Sequence, residues 1–159
     1  MSTQQLLLSV FWSGVFSAAL AIILTAPPRY IATAFLCSAA GRLTRNLLVS
    51  AGWAAAWSTV VAAAVIVLVA ALLMHRQRTG LVVLVSAVLP LGSAAAVFSA
   101  IVNLLRVSSL QGEALSKATD AFIAGTGQVF VTTLAIALGL AGGMATVRVI
   151  RRQPLWEGF

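Results

Sequence analysis

Arg42 and Arg45 are the residues of this 159-residue chain with the clearest chemical potential. They stand three positions apart in residues 35–53, FLCSAAGRLTRNLLVSAGW, a stretch otherwise mostly apolar. On a helix, residues three apart are neighbours on one face. The geometry predicts Arg42 near mid-depth of a membrane and Arg45 one turn further toward the outside. A guanidinium at such depth costs at least about 2.5 kcal/mol even on a lenient insertion scale, so something must offset it. The sequence has only three acids, Glu113, Asp120 and Glu157, and none falls in the middle of an apolar run. Two readings follow. In the first, the pair receives a substrate carboxylate, whose two oxygens match the planar guanidinium fork. In the second, the helix is short or shifted and both side chains reach up to the headgroup region.

Three further residues belong to the candidate binding set. Pro90 lies inside an apolar run, two residues before Gly92, and frees a carbonyl one turn earlier so that the helix bends or breaks. Broken helices at the midplane form binding sites in many transporters. Gln128 is polar within the last apolar run; it either lines a pathway or bonds a neighbouring helix, the latter being the commoner use. Gly92, Ala96 and Ala100 recur every four residues, and Gly139 and Gly143 have GxxxG spacing, so both sets read as packing faces. Asn103 reads as a bond to a neighbouring helix. Thr119 and Asp120 read as the N-terminal cap of the last helix.

Little else in the chain is reactive. Cys37 is the one cysteine and His75 the one histidine, which is too few for a metal cluster. Phosphate-loop, GxSxG and HExxH motifs are all missing from the sequence, so neither ATP hydrolysis nor an intramembrane enzyme is expected, and no cofactor.

The elements that must position these residues are apolar helices. Mean hydropathy is +1.06 and charged residues make up 8%, too few to cover a soluble surface. The net charge of +7 comes from residues at the ends of apolar runs, as topology signals do, rather than from a nucleic-acid-binding face. Five runs, at about residues 6–26, 31–51, 54–74, 81–105 and 121–147, are each long enough to cross about 30 Å of hydrocarbon. The expectation is an all-α integral membrane protein with about five transmembrane helices, the fourth kinked or broken at Pro90, forming one polytopic domain over residues 1–159. The first run lacks a basic leader and reads as a retained helix. Five crossings gather Arg29, Arg76, Arg78, Arg148, Arg151 and Arg152 on one side against Arg106 and Lys117 on the other. That bias places the N-terminus outside and the C-terminus in the cytoplasm. If the second run did not cross, the Lys/Arg count would be even.

Residues PPRY at 27–30, Gly41 followed by Arg45, Gly52, WST at 57–59 and Pro90 stand in an ordered spacing. In this the chain resembles the small membrane subunit of the threonine/serine exporter family, equivalent to the C-terminal membrane half of the fused exporters. The spacing match covers residues 27–106. The resemblance implies export of threonine- or serine-like amino acids or dicarboxylates across a bacterial inner membrane. It also implies a larger partner subunit with its own membrane helices. Two places depart from the family pattern: Ser93 and Ala94 stand where a second proline and glycine are usual, and Arg42 is not part of the pattern. The chain then reads as a secondary exporter subunit that binds a small carboxylate, with a homo-oligomer also possible. The alternative is a structural subunit that scaffolds a transport-active partner and binds nothing itself, its arginines meeting a partner's acid.

Overall fold

The computed structural model describes residues 3–74, 80–92, 94–107 and 112–151, without the side chains of residues 3, 80, 81, 94–96 and 151. The described residues hold six helices and no strand: α1 (Thr3–Ile23), α2 (Ile31–Ser50), α3 (Ala55–Leu73), α4 (Gly80–Val88), α5 (Ala94–Val107) and α6 (Glu113–Arg151). Short 3₁₀ turns occupy Pro28–Tyr30 and Leu89–Leu91. Of the charges used for the topology expectation, Arg76, Arg78 and Arg152 lie outside the described residues, as do His75, Ser93 and Glu157.

Among the described residues, three helices are long and apolar enough to cross a membrane, at Gln4–Ile23, Ala55–Leu73 and Glu113–Ile150. Exposure is inverted relative to a soluble protein. The exposed side chains include Leu7, Phe11, Trp12, Phe16 and Leu72, while Ser13, Ser17, Ser38, Asn46, Ser58, Thr59 and Ser86 are buried. Apolar outside and hydrogen-bonded polar inside is the arrangement that lipid demands.

The chain forms two compact units, Met1–Leu91 with Ala135–Phe159, and Gly92–Leu134. In the first, α2 is the central helix and packs against α1, α3 and α4. That position explains why α2 is the least apolar of the long helices in this unit: its neighbours shield its polar side. Leu36, Leu43 and Leu47 face outward, whereas Ala34, Cys37, Ser38, Gly41 and Asn46 are buried. Pro27 and Pro28 build the α1–α2 corner, with Pro28 opening the 3₁₀ turn and Tyr30 buried. Gly52, at φ +88°, supplies the left-handed residue of the α2–α3 corner.

Register follows from named contacts. Ser17 Oγ donates to the Ala34 carbonyl at 3.0 Å, and Ser13 and Ser38 hydroxyls pair at 2.9 Å. α1 and α2 are therefore antiparallel. A Cβ at Gly41 would stand 2.6 Å from Ile66 Cδ1, while Arg45 pairs with Thr59, so α2 and α3 are antiparallel too. The last part of α6 runs parallel to α3. A Cβ at Gly139 would overlap the Val60 carbonyl oxygen, and one at Gly143 would lie 2.9 Å from Val67 Cβ. The GxxxG face is thus occupied inside the chain by α3, not left for another subunit.

In the second unit, Ala100 and Ala118 are the buried side chains among those described. The side chain of Ala96 is not among them, so the Gly92–Ala96–Ala100 face is not tested there. α6 corrects the expected cap at Thr119 and Asp120. The helix already begins at Glu113, after Gly112 at φ +65°. Glu113 sits at the positive end of the helix dipole and pairs with Lys117 at 2.7 Å, one turn on. Thr119 donates back to the Leu115 carbonyl as an interior residue. With 39 residues, α6 is about 58 Å long, nearly twice the hydrocarbon thickness.

Candidate functional site

The site residues on α2 are positioned by two corners and a ladder of small polar contacts. Ser9, Ser13 and Ser17 recur every fourth residue of α1, hence on one stripe. Opposite them, residues 34, 38, 42 and 46 form the matching row of α2. Ser17 bonds the Ala34 carbonyl, Ser13 bonds Ser38, and Asn46 Nδ2 donates to Ser9 Oγ at 2.8 Å. Arg42 occupies the remaining position of that row, between Ser38 and Asn46.

Arg42 and Arg45 are therefore not equivalent. Arg42 shares the row that meets α1, and its Nε is buried without a hydrogen-bond partner. Arg45 turns to α3: its Nε donates to Thr59 Oγ1 at 3.1 Å, and Thr59 Oγ1 donates onward to the Ala55 carbonyl at 2.8 Å. The expected shared face thus resolves into two adjoining seams, because three residues advance 300° around a helix and leave a 60° offset. No acidic residue precedes Glu113 in the sequence, so neither guanidinium has a carboxylate among α1 to α4.

Depth can be read from the same ladder. The Ser13–Ser38 pair lies at the middle of α1. Arg42 is one turn, about 6 Å, from that level and Arg45 about 10 Å. Side chains on a helix lean toward its N-terminus. For α2 that lean is toward the middle of the bundle, away from the near end. The Thr59 bond keeps the Nε edge of Arg45 inside the α2–α3 seam, one turn within α3.

The other candidates lie apart from this pair. Pro90 is in the Leu89–Leu91 turn after α4, where Leu91 is buried in the core that includes Ala34, Cys37 and Ile66. Gly92 and Gln128 belong to the second unit. Gln128 is exposed, and its main-chain carbonyl accepts the Thr132 hydroxyl at 2.7 Å. The five residues thus divide between the units, and within the first unit only the arginines share an element. Thr59, Ser9 and Asn46 complete the environment of the pair and were not singled out from the sequence as site residues. Hairpin arithmetic points close to Thr59: with a corner at 51–54, residue 45 falls opposite residue 60, beside Thr59. The four-residue serine repeat of α1 points to Ser9 in the same way.

Described residues whose elements are all helical, that are apolar outside and polar inside, and that include helices long enough to cross a membrane, define an all-α membrane protein. Comparison with protein-family models, with curated proteins and with solved structures finds no match to this chain.

Proposed function

We propose that this chain is the small membrane subunit of a secondary exporter for small carboxylate-bearing metabolites, threonine- or serine-like amino acids or dicarboxylates, working with a larger partner subunit in a bacterial inner membrane. One observation carries the proposal. Two half-buried guanidinium groups have no acid among α1 to α4, one with a buried, unpartnered Nε and the other satisfied at Nε by a hydroxyl. An unpaired buried donor is costly to keep unless it serves a ligand. Carboxylate and phosphate both fit the planar fork, and the exporter-like spacing selects carboxylate for this reading. The spacing of PPRY, Gly41, Arg45, Gly52, WST and Pro90 supports the exporter class.

Five crossings remain part of the proposal. Within the first unit α3 and the end of α6 run parallel, which supports a further crossing between them. Arg29, beside Tyr30, and Arg148 lie at the same end of the first unit, which supports that end as cytoplasmic, with the N-terminus outside. Export is tested in inside-out vesicles containing the chain with and without the larger subunit proposed above. Accumulation of labelled L-threonine or succinate that requires this chain and falls in Arg45→Gln supports the exporter. Accumulation unchanged by Arg45→Gln, or restored when a partner acid is also removed, establishes the scaffold instead.

A further inference from the structure

Resting on the carboxylate reading above, we propose that Thr59 is the positioning residue that sets Arg45 as an end-on carboxylate receptor. A guanidinium offers five N–H donors: one on Nε and four on the two Nη atoms. It can grip a carboxylate side-on, through Nε and one Nη, or end-on, through both Nη atoms. The Nε–H of Arg45 is taken by Thr59 Oγ1 at 3.1 Å. The side-on edge is therefore closed and the end-on edge remains.

Thr59 is suited to this task for two reasons. Its side chain is 1% exposed, so it has no competing water. Its single hydroxyl proton is committed to the Ala55 carbonyl at 2.8 Å, which leaves only lone pairs for Arg45. The hydroxyl therefore acts as a fixed acceptor. Its direction is set by the first turn of α3, and through it the plane of the Arg45 guanidinium is set. An oriented fork discriminates by shape: a two-oxygen anion must lie in the plane of the guanidinium, so its binding depends on where that plane is held, whereas a spherical anion needs only the charge. The function assigned to Thr59 is thus selectivity for carboxylate over spherical anions.

The test uses the full chain in lipid nanodiscs, with succinate and L-threonine as carboxylate probes and chloride as the spherical competitor. Thr59→Val keeps the shape and removes the acceptor. It is expected to weaken carboxylate binding by about tenfold, the worth of one hydrogen bond to a charged group, and to leave chloride affinity unchanged. Thr59→Ser keeps the acceptor and restores wild-type selectivity. Thr59→Ala gives a second hydroxyl-free variant should valine disturb packing, and shows the same carboxylate-only loss. Wild-type selectivity in both hydroxyl-free variants, with binding lost in Arg45→Gln, overturns the role of Thr59 and leaves the carboxylate site standing. Carboxylate binding unchanged in Arg45→Gln overturns the site itself.

Discussion

Replacing Arg42 with methionine should make the protein more stable and less able to bind. The arginine brings a buried Nε with no partner. An unsatisfied buried donor costs about 1–3 kcal/mol. Methionine keeps an unbranched stem along the α1–α2 seam, so little packing is lost. A gain of about 2 kcal/mol follows, or a rise in melting temperature of about 4–8 °C for a chain of this size. The assay is built into the molecule. Cys37 is the one cysteine of the chain and is 0% exposed, so a thiol-reactive fluorogenic maleimide reports unfolding without an engineered label. Adding succinate or L-threonine should raise the melting temperature of wild type and leave that of Arg42→Met unchanged. A variant that melts below wild type, and is still stabilised by carboxylate, would refute the reasoning: Arg42 would then be holding the bundle rather than waiting for a ligand.

Other expectations follow from the packing. Gly139→Val should lower the melting temperature by the worth of about 2 kcal/mol or more, since its first carbon already meets the Val60 carbonyl oxygen and Ala63. Gly127→Ala and Gly142→Ala, which meet open space, should raise stability by about 0.5–1 kcal/mol each in the same melt. Ser38→Ala should cost about 1 kcal/mol and Ser13→Ala less, because the Ser38 hydroxyl keeps the Ser13 main-chain carbonyl as acceptor at 3.1 Å, and the double substitution should cost less than the sum. Single cysteines at Ser2 and Phe159 should be labelled from opposite faces of the membrane; labelling of both from one face removes the five-crossing arrangement.

Helix boundaries near α2 and α3 were legible because apolar runs meet strong breakers. PPRY sets the start of α2, and Gly52 sets the corner between α2 and α3, so both ends fall within a residue of expectation. The start of α6 was missed. Hydropathy marks where lipid-compatible sequence begins, but residues 113–120 are helical for another reason: Glu113 and Lys117 support an exposed turn that apolar counting does not see. The fate of Gly139 and Gly143 was also not legible. GxxxG spacing says that a helix packs closely there, not whether the partner lies in the same chain. For the arginines, spacing revealed the charge but not the split between two seams, which depends on the register set by Ser13–Ser38 on one side and Arg45–Thr59 on the other.

The central claim is contact between a carboxylate and the α2 guanidinium pair. Solid-state NMR dipolar recoupling measures it, using 15N-arginine protein in native lipid and 13C-carboxyl succinate or L-threonine. The account predicts dephasing that corresponds to a carboxyl-carbon to guanidinium-nitrogen distance of about 4 Å, lost in Arg45→Lys. Absence of dephasing with both probes, or dephasing that persists when Arg42 and Arg45 are both lysine, would contradict it.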